Sequence, residues 1–218
     1  MEMQRFTIGC HDHLKGEAFL MYSDHINESG KVEICGPTAE YGGPYDLAFI
    51  INAPLDYLPI EMDESALAIF VDRINPHRDL PDRCLQLIAP IDSSPEDFSS
   101  WAERTMTSVV DIFRYPGLAC MTFADLVFLY EESKGRPVTS AWVNCDCSDN
   151  ELLMQLRQLR FSALICHFTD GPEFIECSRY TRVIDILEAS FPDIESAPFG
   201  YGVHPNNRET LFFLGAPK

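Results

Sequence analysis

Short apolar runs separated by Gly, Asn and Asp open the chain: RFTIG, AFLMY and KVEIC predict three short strands. YDLAFIINAP, Tyr45–Pro54, is almost continuously apolar and ends on Pro, the pattern of a strand buried on both faces. Ala66, Leu67, Phe70, Val71 and Ile74 then fall on one side of a helical wheel, which predicts a helix from Asp63 to Ile74. RCLQLIAPI, Arg83–Ile91, reads as another buried strand. Strand, helix, strand in that order implies a parallel α/β layer.

The strongest helical signal follows. Ser94-Pro95-Glu96-Asp97 offers an N-cap, Pro at the first helical position and an acid at the third. Phe98, Trp101, Ala102, Met106, Val109, Val110 and Phe113 recur at steps of three and four. Pro116-Gly117 stops this helix. Beyond it the pattern predicts a helix from Thr122 to Glu132 ending near Gly135, and a strand in PVTSAWVN. A Ser148/Glu151 capping box opens a helix over Ser148–Arg160 with Leu152, Leu153, Leu156 and Leu159 inside. FSALICHF is a strand, and Glu176–Ser190 a helix with Tyr180, Val183, Ile184 and Leu187 inward. Strands near Ser196–Val203 and Thr210–Gly215 complete the pattern. The one break that reads as a boundary is Tyr115–Gly117.

Composition narrows the function. The chain has 218 residues, 46% of them hydrophobic and 11% aromatic, enough for a packed core. Sixteen basic residues against thirty-four acidic ones give a net charge of −18, which disfavours nucleic acid and anionic membrane surfaces as partners. No apolar run approaches the ~20 residues that span a bilayer, and MEMQRFTIG has no signal-peptide core. The eight cysteines are scattered and mostly lie in apolar runs. The expectation is a cytoplasmic protein with reduced, mostly buried thiols.

Candidate chemistry is sparse. Cys10-His11-Asp12-His13 combines residue types that ligate zinc or iron, so Cys10, His11 and His13 are weak metal candidates. The simpler reading is a polar turn after the first strand. Cys145-Asp146-Cys147 is at most half a thiolate site, and a strand end beside the Ser148 cap explains it. His167, on an apolar strand, reads as a core histidine. Gly42-Gly43 is a turn, and no nucleophile elbow or Walker-type loop is present.

From Leu85 onward, the order of elements and turn motifs resembles the FtsZ/tubulin family. QLIAPID followed by FSSWAERTMTSVVDIF resembles the last strand of the FtsZ nucleotide domain and its long central helix. PGLACMTFADL resembles the family's synergy loop, PGLINVDFADV, and ALICHFTDGPEF resembles LINITGGPDL. FGYGV and TLFFLGA follow in the family's order. The resemblance implies an α/β, tubulin/FtsZ-like fold. Its parts would be a reduced Rossmann-like half over 1–93, a central helix over 94–115, and an activation-type half with a mixed sheet over 116–218.

In the family the synergy loop presents Asn and two acids to GTP held by the next subunit. By position, Asn is replaced by Cys120 and the first Asp by Thr122, while Asp125 is kept; Cys and Thr are not residue types that supply a fixed anionic base. Asp125 also completes a Thr122-x-x-Asp125 capping box. The Gly-rich turn and GGGTGTG of the family stand here as CHDHLKG and INAPLDYLP, without glycines for close phosphate approach.

The resulting expectation is an FtsZ-like pseudo-GTPase that needs no cofactor and does not hydrolyse GTP. It would regulate FtsZ-type filaments or cell division through a partner face of Pro116, Gly117, Leu118, Cys120, Thr122, Phe123 and Asp125. The expected partner is FtsZ, an FtsZ-like protein or a second copy. The alternatives are a nucleotide-independent self-assembling scaffold and a metal- or thiol-dependent enzyme using the Cys/His-rich start.

Overall fold

Parallel pairing of strands, the central two almost wholly apolar, organises the first half of the chain. The structure is a computed structural model that describes residues 7–12, 17–23, 46–57, 66–74, 78–90, 94–114, 119–171, 177–194, 196–204 and 210–218. It divides into two compact units, Met1–Val110 with Gly135–Pro137, and Asp111–Lys134 with Val138–Lys218. The first unit holds β1 (Thr7–Asp12), β2 (Glu17–Ser23), β3 (Leu47–Ile51), β4 (Leu67–Asp72) and β5 (Cys84–Ile88) in the order β2-β1-β3-β4-β5. β1, β3, β4 and β5 run parallel, and β2 is antiparallel to β1. Every residue of β3 and β4 is buried, as strands covered on both faces require.

The helix expected over Asp63–Ile74 is instead a strand where the segment is described. Leu67–Val71 pair residue by residue with Leu47–Ile51, placing β4 between β3 and β5. In LAIFVD the apolar run is continuous, so helical spacing is satisfied trivially and does not discriminate. Its brevity and the β-branched Ile69 and Val71 favour the extended form. The polar turn expected at Cys10-His11-Asp12 is likewise corrected, because these residues are paired in β1.

A buried ionic cluster ties the carboxyl ends of this sheet. Asp72, the last residue of β4, receives Arg78 Nε and Nη2 at 2.7 Å each, a bidentate pair. Arg78 also donates to the carbonyls of Ala53 (2.6 Å) and Pro54 (2.8 Å), just beyond β3. Gln86 of β5 donates to Asp72 at 2.9 Å, and the guanidinium lies 5.0 Å from the Phe70 ring centroid. Three strands thus converge on one carboxylate and one guanidinium, both buried.

Helix α1 (Pro95–Arg114) begins as expected: the Ser94 hydroxyl accepts the Asp97 N–H (3.1 Å) and donates to its carboxylate (2.7 Å). Phe98, Trp101, Ala102, Met106, Val109 and Val110 are buried. The division between the two units falls inside this helix, after Val110.

The second unit is a mixed sheet with three helices. β6 (Thr139–Val143), β7 (Phe161–Asp170), β8 (Phe199–Val203) and β9 (Thr210–Pro217) lie in the order β6-β9-β7-β8. Only β7 and β8 are parallel. Helices α3 (Asp149–Gln158) and α4 (Cys177–Ser190) supply Leu152, Leu156, Val183, Ile186 and Leu187 to a core with Leu164, Cys166, Phe168, Tyr201 and Phe213. The Ser148/Glu151 box is formed. Ile184 is half-buried and Ile186 takes the inward place expected for it. Helix α2 (Phe123–Ser133) contacts β7 and β9.

Two stability predictions follow from these cores. Arg78→Met strands the buried Asp72 carboxylate and should cost about 3–5 kcal/mol in urea unfolding, whereas Asp72→Leu with Arg78→Met should cost less than the single change. Equal losses from the single and double variants would show that the pair is not the source. His167 on β7 is buried, and desolvation lowers its pKa from 6.5 to about 4. The folded chain therefore keeps the ring neutral while the unfolded chain protonates it below pH 6.5. Stability should be complete above pH 6.5 and fall between 6.5 and 4 by about 3 kcal/mol. His167→Gln should remove that part of the slope.

Candidate functional site

The loop entering α2 is fixed at three points, all inside the second unit. Ala119 forms an antiparallel bridge with Tyr201 of β8, and the Tyr201 N–H donates to the Ala119 carbonyl at 2.8 Å. Met121 is buried over Gly200: a Cβ added there would lie 2.5 Å from Met121 Cγ, 2.8 Å from its Sδ and 2.8 Å from His167 Cδ2. Glycine at 200 is what lets the methionine reach the sheet. Thr122 then caps α2, with the Asp125 carboxylate accepting its N–H at 2.6 Å and its hydroxyl at 3.1 Å. At the far end Lys134 (φ 52°) and Gly135 (φ 75°) turn the chain out of the helix through left-handed conformations.

The structure brings Cys120, Thr122, Phe123 and Asp125 onto this one turn; Cys120 and Thr122 are exposed, Phe123 and Asp125 half-buried. Pro116, Gly117 and Leu118 lie outside the described residues. The carboxylate of Asp125 points back into its own cap. What the turn offers a neighbour is a thiol, a hydroxyl, part of an aromatic ring and backbone, which suits contact better than proton transfer.

Behind the loop lies a network that sequence reasoning missed. Asp170, at the end of β7 and fully buried, accepts the Gly171 N–H at 2.8 Å and the Tyr201 hydroxyl at 3.3 Å. Arg179 of α4 stands 3.4 Å from the same carboxylate. Burial, then the Asp170 charge, push the Tyr201 hydroxyl up to about 12, so it remains a donor. The His204 N–H donates to the Asp170 carbonyl at 2.7 Å, and His204 Nε2 is 3.9 Å from Asp111. One signal was available: Asp170 stands where the motif LINITGGPDL has its first Gly, directly after a strand of buried residues.

The other candidates are not joined into sites. Cys10 and His11 lie on β1, whose side chains are outside the described set, as is His13. Among the described residues no group of three His, Cys, Asp or Glu could hold a metal. Gln155 donates to Cys147 Sγ at 3.7 Å, and burial followed by the Glu151 charge raises its pKa, while Cys145 is buried in the core. Of the cysteines whose side chains are described, Cys84, Cys145 and Cys166 are buried, Cys147 is half-buried, and Cys120 and Cys177 are exposed; none forms a disulfide with another. The expectation of mostly buried thiols thus holds for Cys84, Cys145 and Cys166 and not for the helix-entry Cys120, Cys147 and Cys177.

At the carboxyl end of the first unit's sheet, where open α/β sheets receive ligands, Ala53 and Pro54 offer carbonyl oxygens and the Arg78 side chain takes them. Phosphate needs N–H groups there, and Pro54 has none. Residues 13–16 and Gly42-Gly43 lie outside the described residues. Among those described, no helix is long and apolar enough to cross a membrane.

No protein-family model matches the chain, and no curated protein matches it by sequence. Solved structures do. A point mutant of FtsZ from M. jannaschii matches with TM-score 0.51 and 14% identity over 80% of this chain and 66% of its own. CetZ from Methanosaeta thermophila matches with TM-score 0.53 and 10% identity over 82% and 63%. CetZ2 from Haloferax volcanii, in a GTPγS-bound protofilament, matches with TM-score 0.50 and 11% identity over 78% and 65%. The chain therefore spans just under two thirds of the length of the structures it matches.

The packing of the loop is testable. Gly200→Ala should destabilise by about 1–3 kcal/mol through overpacking and raise the alkylation rate of Cys120, and adding Met121→Ala should recover part of both. An unchanged Cys120 rate in Gly200→Ala would show that Met121 does not hold the loop. These elements, in this order, make the chain a divergent member of the tubulin/FtsZ-like fold.

Proposed function

We propose that this chain is an FtsZ-like pseudo-GTPase, a cytoplasmic binding protein that acts on FtsZ-type filaments through its synergy-loop-like face. The observation that carries the reading is the state of the loop. Its described part is anchored from the Ala119–Tyr201 bridge to the Thr122 cap, yet Cys120 and Thr122 supply no fixed charge and the Asp125 carboxylate is held by the cap. Such a surface retains its shape for docking without equipment for polarising a water. The carboxyl end of the first unit's sheet supports the same reading, because what it presents at Ala53 and Pro54 is carbonyl oxygens, already taken by Arg78, where a phosphate would need N–H donors. Fold alone does not assign a role, so the partner, FtsZ, an FtsZ-like protein or a second copy, is part of the proposal.

Purified protein mixed with FtsZ and GTP should co-pellet with polymer and lower or delay light scattering, without adding to phosphate release. Cys120→Arg, at an exposed position, should abolish co-pelleting while leaving the melting temperature unchanged. Unaltered polymerisation with no co-pelleting would end this reading. Nucleotide-free filaments of the protein alone under the same conditions would replace it with a self-assembling scaffold, a role suggested by the CetZ2 protofilament among its structural neighbours.

A further inference from the structure

We propose that a cleft at the carboxyl ends of α3 and α4 is a docking site for an acidic peptide segment of a partner protein, one that also carries an aromatic or aliphatic side chain. The cleft has a volume of about 410 Å³, within the ~300–1,000 Å³ of ligand-sized clefts. Its floor is apolar: Leu159, the buried Phe161 and the half-buried Phe191, whose ring lies 6.1 Å from that of Phe213 in the core. Its rim carries Arg157, Arg160 and Lys218, all exposed.

Charge selects the occupant. Lys218 pairs with Asp193 of the rim at 2.8 Å, but among the described residues neither arginine side chain has an ion-pair or hydrogen-bond partner. Lys218 and Asp193 balance each other, which leaves the two guanidinium groups as the unpaired side-chain charges among the described residues of the lining. The two helix ends that border the cleft each contribute about −0.5, so the attraction is local to the two guanidinium groups. These two cations stand on a chain whose net charge is −18. Carboxylates are attracted to them and other cations are repelled.

The arrangement also favours a peptide over a small metabolite. Small-molecule sites converge a few placed polar groups on the ligand, whereas here the polar groups stand at an exposed rim around an apolar floor, the anatomy of a protein interface. Arginine at an exposed rim combines an aliphatic stem that packs on apolar surface with a guanidinium that takes a carboxylate bidentately.

Random peptides displayed on phage, selected on the immobilised full chain, test the assignment. The wild type should enrich sequences that join Asp or Glu to an aromatic or aliphatic residue. A synthetic peptide of the enriched sequence should bind more weakly as salt is raised. R157E with R160E should lower its affinity about tenfold or more, with circular dichroism and melting temperature unchanged. Absence of enrichment, enrichment of sequences lacking acids, or binding that survives the double charge reversal would overturn the proposal. A dimer dissolved by the double reversal would overturn it too, since a second copy would then be the occupant. Co-pelleting with FtsZ through the α2 loop is a separate readout, and its result leaves this one unaffected.

Discussion

In the second unit Tyr201 joins three kinds of contact. Its backbone N–H holds the loop at Ala119, its ring stacks on Phe168 in the core at 5.0 Å, and its hydroxyl meets Asp170. One buried side chain therefore links a strand pair, the hydrophobic centre and the loop that leads into α2. A buried hydroxyl left without a partner costs roughly 1–3 kcal/mol, so the Asp170 carboxylate is needed wherever the ring is buried. The Gly171 N–H and Arg179 in turn compensate that carboxylate's loss of water. The loop's geometry rests on this sequence of obligations together with its own Thr122–Asp125 cap.

Much of the fold was readable in the chain because local chemistry and tertiary context agree. The Ser94, Thr122 and Ser148 caps, the alternating burial of α3 and the mixed strands of the second unit each carry a local signal that burial then reinforces. β4 was misread for the opposite reason. Periodicity is informative only where polar residues interrupt it, and LAIFVD has none before its last position. Central parallel strands erase the very contrast on which sequence reading relies.

The candidate site was half legible. Cys120, Thr122 and Asp125 could be placed from the motif and its cap. The ring and carboxylate behind them could not, since Asp170 and Tyr201 are thirty-one positions apart and meet only through the parallel pairing of β7 and β8. The Arg78 cluster was equally hidden: its carbonyl partners lie on a segment twenty-four and twenty-five residues earlier. Long-range polar contacts of this kind leave no periodic trace, and an isolated Arg among loop residues reads as solvated.

The arginine cluster has a bearing on how the protein would behave as cellular conditions change. A fold that relies on a bound nucleotide gains stability by mass action, about 2.7 kcal/mol at a hundredfold excess over Kd, and loses it as the ligand is depleted. A guanidinium tethered to the same chain is present at a local concentration that never varies. On the nucleotide-free reading proposed above, the first unit would be uncoupled from the supply of small molecules, and the amount of folded protein would track its synthesis and degradation, whatever the energy status of its surroundings.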